Sequence, residues 1–472
     1  MRQLSTDEIN EELDRQTGIE ACHRTFRRWL GAEYDTGSLD AVLAVAACND
    51  LGGDPPWLLV VSGSGNAKTE TVGALAGIGA HITSTVTSEG ALLSATPAKE
   101  KQRGATGGLL RKIGDKGILV VKDFTSILSM NRDLRASVLA ALREVYDGRW
   151  ERNVGTDGGK TLTWEGRIVM VGAVTTAYDA AHGVIAAMGD RFALVRVDST
   201  SGRLAAGRQA LRNVNHETKM RTDLAQAVVE LMRFHLRPER AELEDADMDV
   251  LLSVADLVTF ARTAVERDYQ GNVTDAHAPE MPTRFAKMLG QLVRGGLALG
   301  MGRERALATA VRVAGDSMPP LRLAILEDLL NHPHSTTTEV RKRLQRPHNT
   351  VDRELQALHL LSLLEQHQRE GSQGWRYVLS DLVDQLALKA LVSRNVTTRN
   401  VGIQEVGPST ESLTDISGNA GASRNVTSQV GGPGSAPPAA SDAPLWPDRD
   451  DVCPACRWPY DSQAHLSGCD GA

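Results

Sequence analysis

The sequence predicts an α/β chain: a mostly parallel sheet covered by helices up to about residue 200, then helices alone to about 315, then a small helix–strand domain. Three observations predict it. Short apolar runs alternate with helical periodicity in the first 200 residues, which is the pattern of strands buried on both faces. Residues 220–315 carry helical patterns only. Residues 321–380 switch to short amphipathic helices followed by two strand-like runs.

Residues 1–50 read as a polar-rich helical segment ending in an Ala-rich amphipathic stretch from Asp40 to Asn49. Gly52-Gly53-Asp54-Pro55-Pro56 breaks it. Residues 51–200 form the sheet core, with strands expected at Trp57–Val61, Ile118–Val121, Ile168–Val174 and Phe192–Val197. Arg135–Tyr146 is a helix with Val138, Leu139, Leu142 and Val145 on one face. Residues 201–315 form a helical lid and 316–385 the small domain. Residues 386–446, rich in Gly, Ser, Thr, Pro and Asn, read as a disordered linker, and 447–472 as a tail that regains order. Ser-Arg-Asn-Val-Thr occurs twice in that region, at 393–397 and 423–427, which is too little for a repeat architecture.

The 472 residues carry 52 basic and 59 acidic side chains, a net charge of −7. That excludes a chain coating nucleic acid along its whole surface and leaves room for local basic patches. No apolar run is long enough to span a bilayer, and the acidic start Met1–Gln16 has no apolar signal region. Five unevenly placed cysteines suit a reducing compartment, so a cytoplasmic protein without membrane partners is expected.

After the first strand comes Ser62-Gly63-Ser64-Gly65-Asn66-Ala67-Lys68-Thr69. It follows the phosphate-binding pattern G-x-x-x-x-G-K-[ST], with Ser62 and Ala67 in place of the two glycines. Backbone N–H groups of such a loop surround phosphates, the lysine neutralises them and the threonine hydroxyl meets Mg²⁺. ATP and Mg²⁺ are therefore the expected ligands. At the end of the second long strand, Lys122-Asp123 stands where an ATPase carries two acids. Asp123 serves either the metal or the attacking water; Glu89 and Glu144 are alternatives for the missing acid. Thr175-Thr176 ends the next strand, where a hydroxyl such as that of Thr176 can reach a γ-phosphate, or simply cap the strand. Gly189-Asp190-Arg191-Phe192 displays an arginine before a strand, either as a finger for a neighbouring subunit's nucleotide or in a structural ion pair.

This order of elements resembles AAA+ ATPases, and within them it is most similar to the minichromosome-maintenance helicase branch and to ATPases of actinobacterial phages and integrated elements. The resemblance covers about residues 25–315. It implies a P-loop NTPase core with a helical lid and a ring of identical subunits. It also implies a trans-acting Arg191 and a lid arginine, Arg284 in Pro282-Thr283-Arg284, aimed at the γ-phosphate in cis. The segment Trp150–Trp164, with Arg152 and Lys160, matches a hairpin that lines a DNA channel.

The small domain looks like a winged helix-turn-helix. Helix Leu321–Leu330, a second helix Val340–Leu344 capped from Ser335–Glu339, and a third capped by Asn349 or Thr350 precede a wing closed by Trp375–Leu379. Arg341, Lys342, Arg343, Arg346, Asn349, Thr350 and Arg353 would contact DNA. In the tail, Cys453, Cys456, His465 and Cys469 have the donor set of a tetrahedral Zn²⁺ site, in a segment too short to fold without a metal. The expected function is an ATP-driven DNA motor, helicase-like or replication-initiating, of a phage or mobile element. The alternative is a nucleotide-gated DNA-binding regulator or a helicase loader with little hydrolysis.

Overall fold

The computed structural model describes residues 18–95, 107–155, 159–187, 191–200, 202–368 and 374–393. The expected zinc tail with Cys453, Cys456, His465 and Cys469, the expected linker beyond 393, Gly189-Asp190 and the tip of the Trp150–Trp164 segment lie outside these residues.

Helix α1 spans Ile19–Leu30 and α2 Thr36–Ala47. Asp35 caps α2, its side chain accepting from Ser38 N at 3.2 Å. Every residue of α2 from Ser38 to Ala47 is buried. The expected amphipathic stretch is thus a central helix, and the alanines that looked like one face allow contact all round.

The core strands are β1 (Trp57–Val61), β2 (His81–Thr83) and β3 (Lys116–Val121). An antiparallel hairpin follows, β4 (Arg149–Val154) with β5 (Lys160–Glu165), and then β6 (Arg167–Val174) and β7 (Ala193–Arg196). The five core strands form one parallel sheet in the order β2-β3-β6-β1-β7. β1, the last four residues of β3 and nearly all of β6 are buried, as continuous apolar runs between two helical layers must be. β2 has only three residues at the sheet edge and no run to announce it. On the sheet lie α3 (Lys68–Gly73), α4 (Glu89–Leu92), α5 (Leu109–Ile113), α6 (Thr125–Leu128), α7 (Arg132–Tyr146) and α8 (Ala177–Ala187). The expected apolar face of α7 is buried.

Residues 201–315, expected as a lid, hold α9 (Arg203–Arg212), α10 (Glu217–His235), α11 (Asp245–Ala261), α12 (Thr283–Ala298) and α13 (Arg303–Asp316). The stretch is not helical throughout: β8 (Val265–Arg267) and β9 (Val273–Ala276) make a hairpin. Its turn is fixed by the Asp268 carboxylate, which accepts from the backbone N–H groups of Gln270 and Asn272, and by Gly271 at φ +81°. α12 packs along α2, closely enough that a Cβ at Gly295 would strike the Ala44 carbonyl.

The small domain comprises α14 (Pro320–Asn331), β10 (Ser335–Thr336), α15 (Thr337–Leu344), α16 (His348–Leu360), β11 (Leu364–Gln368) and β12 (Trp375–Leu379). Its sheet runs β10-β12-β11, antiparallel. Thr336 and Glu339 form a capping box at α15. α16 starts at His348 behind Pro347, so Asn349 and Thr350 lie inside its first turn and do not cap it. The ordered chain runs on past 385: α17 (Gln385–Val392) buries Ala387, Leu388 and Leu391 and packs on α11, α13 and α14. No described helix is long and apolar enough to cross a membrane.

Candidate functional site

β1 lies between β6 and β7, while β2, next in sequence, sits at the far edge. The chain therefore changes direction at the C-terminal end of β1, where open α/β sheets form their binding crevice. The loop Ser62–Ala67 leaves β1 there and enters α3 at Lys68. Ser62 is buried, and its N–H donates to Val174 O at 3.2 Å. Gly65 (φ +81°) and Ala67 (φ +53°) both take left-handed backbone conformations, of the kind from which anion-binding concavities of N–H groups are made. Ala67 occupies the position of the second consensus glycine, so the substitution falls where the backbone favours glycine.

Lys68 Nζ donates to the carbonyls of Ser62 at 3.2 Å and Gly63 at 3.0 Å, folding back over the loop. Burial lowers its pKa, and the nearby Asp123 carboxylate opposes that shift. Asp123 is thus the acid that faces the lysine, although it sits on the sheet's other side of β6. Its Oδ1 accepts from Ser126 N at 3.3 Å, and Asp123 and Thr69 are both exposed. Lys122 is half-buried beside it. The rim is rich in hydroxyls: Thr125 Oγ1 accepts from Thr175 N at 2.9 Å, and Thr176 is exposed at the start of α8. Of the alternative acids, Glu89 is held by Arg152 (2.8 Å) and Ser137 (3.3 Å). Glu144 is exposed near the end of α7 that lies by the start of β1.

Several neighbours of the loop had no sequence signal. Asn66 Nδ2 donates to Asp198 O at 2.9 Å, and a Cβ on Gly63 would meet Ser199 Oγ at 3.1 Å, so residues 198–199 wall the loop. Tyr34 and Thr71 share a 2.7 Å hydroxyl hydrogen bond behind α3. Arg196, paired in register with Val61, is bound by the Asp179 carboxylate at 2.7 and 3.0 Å.

Arg191 and Arg284 lie elsewhere, by the N-terminal end of β1. Arg191 Nη2 reaches Asp147 Oδ2 at 3.2 Å, and its guanidinium lies 5.7 Å from the Tyr146 ring centroid. Tyr146 packs edge-on against Trp57, the first residue of β1. Burial pushes the Tyr146 phenol up to about 12; Asp54 pushes the same way, and Arg284 and Arg191 pull it back. All of these groups therefore share one neighbourhood. Arg284 Nη1 binds Glu280 at 3.1 Å, and Lys287 in the same helix binds Asp54 at 3.1 Å. The cis position expected for Arg284 is not what the fold gives: β1 alone separates this end from the loop by about 13 Å.

In the small domain, Arg343 is engaged with Asp328 at 2.6 and 2.7 Å and with Ser335 Oγ at 2.7 Å. Arg353 donates to Gln270 O in the β8–β9 turn. Lys342, Arg346, Asn349 and Thr350 are exposed, and Arg341 is half-buried. No group of three metal-ligating side chains occurs among the described residues.

No family model matches the chain, and no curated protein matches it. Among solved structures, it is similar to two apo forms of the NrS-1 C-terminal region. The A form is 12% identical, covering 77% of this chain and 76% of that one, with a TM-score of 0.23. The structure of residues 305–718 is 13% identical, covering 76% and 75%, with a TM-score of 0.24.

Proposed function

We propose that the chain is an ATP-binding protein of the AAA+ type that works as a DNA motor in a ring of identical subunits. The observation that carries this reading is the distribution of charge along the parallel sheet. A glycine loop with Lys68 and the facing Asp123 occupies one end, and Arg191 and Arg284 occupy the other. The loop fits a triphosphate. Gly65 has open space where a Cβ would be, and the left-handed backbone at Gly65 and Ala67 is the kind that gathers N–H groups around an anion. Lys68, freed from the Ser62 and Gly63 carbonyls, would neutralise phosphate oxygens, while Thr69 and Asp123 would hold Mg²⁺. A bound ATP supplies the phosphoanhydride whose cleavage drives movement. Arg191 would leave Asp147 to meet the nucleotide of a neighbour, with Arg284 beside it in the same trans direction.

The three helices and antiparallel sheet of residues 320–379 support a winged helix, with α16 as its DNA-reading element. Lys342, Arg346, Asn349 and Thr350 are free to meet phosphates and base edges; Arg343 belongs to the domain's own structure. In the tail, Cys453, Cys456, His465 and Cys469 would hold Zn²⁺.

One observation favours the second reading, a nucleotide-gated DNA-binding regulator. Lys122 stands at the place of the first acid, and Asp123 alone must serve both metal and water. Steady-state ATP hydrolysis with and without single- and double-stranded DNA separates the two. DNA-stimulated turnover supports the motor. Tight ATP binding without turnover under any condition leaves the regulator.

A further inference from the structure

Helix α9 lies on the surface, against α1. None of its residues is buried. It is tethered at its end by Asn213, whose side chain donates to Trp29 O at 2.7 Å and meets Gln209. Leu204 and Leu211 are 89% and 74% exposed. They lie seven residues apart and so share a face, with Arg208 between them and Arg212 beside them. Arg203, Arg208 and Arg212 give the helix three positive charges and no negative one. None of the three makes a salt bridge among the described residues.

Helix α11 presents the opposite pattern. Its inner face is buried against α12, α13 and α17. Its outer face carries Met248 and Leu252, 46% and 51% exposed, flanked by exposed Asp245, Asp249 and Asp256. These positions recur at i, i+3, i+4, i+7 and i+11, one continuous stripe. The three carboxylates form no ion pair among the described residues. The buried acid of the same helix, Asp247, faces inward to Arg303 and is not part of the stripe.

We infer that the basic leucine stripe of α9 docks on the acidic Met–Leu stripe of α11 in a second copy of this chain. Apolar residues meet in the centre and opposite charges meet at the rim, the arrangement of protein interfaces. The two stripes differ, so the contact is heterologous, each copy offering one surface and receiving the other, which is how rings are built. The occupant is a second copy because each stripe finds its charge complement on this chain itself. The inference rests on the assembly half of the reading above and not on its ATP chemistry.

Sedimentation velocity of the full chain over a concentration series tests it, at low and high salt and with and without ATP. Self-association of the wild type that weakens with salt is expected. Arg208→Glu/Arg212→Glu leaves both stripes negative, and Asp249→Arg/Asp256→Arg leaves both positive. Each variant alone should associate at least about tenfold more weakly, because like charges then face each other. Mixed in equal amounts, the two variants should recover association, since each stripe again meets its opposite. Recovery on mixing also shows that both variants are folded. Association unchanged by either reversal, a mixture no better than its components, or a wild type that stays monomeric would each overturn the inference. ATP binding measured on the same samples keeps the two readings apart, because its loss would sink the nucleotide site and leave the sedimentation result standing.

Discussion

The two ends of the central sheet are chemically opposite. At the C-terminal end of β1 the chain offers backbone N–H groups, hydroxyls, Lys68 and the exposed carboxylate of Asp123, with Lys122 and Asp198 at its edges. At the N-terminal end it offers Arg191 and Arg284 among Tyr146, Asp54, Asp147 and Glu280. Guanidiniums beside the loop, Arg196 and Arg221, are committed to Asp179 and Glu70. The two halves of the candidate site lie about a strand's length apart on one chain. On the proposed reading one end would cradle an anion, the other would stabilise its developing charge, and a neighbouring subunit would bring them together.

The largest effect is expected at Lys68. Lys68→Ala should lower ATP binding at least about 100-fold, read by calorimetric titration, because the loop loses its only lysine facing the phosphates. Unchanged affinity would remove the phosphate assignment. Arg191→Ala should leave ATP affinity nearly intact and lower DNA-stimulated turnover by about 10³-fold. Mixing it with Lys68→Ala protein should recover part of that turnover, since each mutant supplies the half the other lacks. No recovery in the mixture would mean that the two ends do not meet between subunits.

His182, in α8, links pH to the stability of the fold. Burial lowers its pKa to about 4, and the charges of Arg322 and Arg262 add to the shift. Its folded value lies below the unfolded one, so the unfolded chain takes up the proton first as pH falls through about 6.5. Stability is therefore full above that pH and is lost progressively down to about pH 4. Urea unfolding should show a loss on the order of 2 kcal/mol between pH 7 and pH 5 that His182→Gln removes. The smallest effect is expected at Ala67. Ala67→Gly should stabilise the chain by about 1 kcal/mol in the same assay, since alanine disfavours the left-handed backbone found there.

Much of the sheet was legible because its strands are unbroken apolar runs. Trp57–Val61 is observed as expected, and the other long strands differ by a residue or two at their ends. The loop was legible because its chemistry is local: glycines, lysine and threonine follow one another along eight residues. What escaped depends on distant partners. β2 is three residues long and is defined by β3, its neighbour in the sheet. The β8–β9 hairpin lies in a helix-rich stretch, and its signal is only the Asp268–Asn272 turn. The location of Arg284 follows from how α12 lies against α2, which no motif encodes. The walls at Asp198 and Ser199 come from β7 returning beside β1. In the small domain the capping box at Thr336 was readable, while Arg343 looked like a DNA contact and turned out to hold Asp328.

The buried helix α2 has a consequence for the chain's synthesis. Its partner α12 is encoded some 250 residues after it, with Gly295 pressed to the Ala44 carbonyl. At typical translation speeds that gap lasts roughly 12–50 s. Through that interval Leu39, Val42, Leu43 and Val45, all fully buried in the end, have no final partner on this side. The nascent chain must carry an apolar helix in waiting, and slowed translation or limited chaperone supply should cost yield before any defect appears in the finished protein.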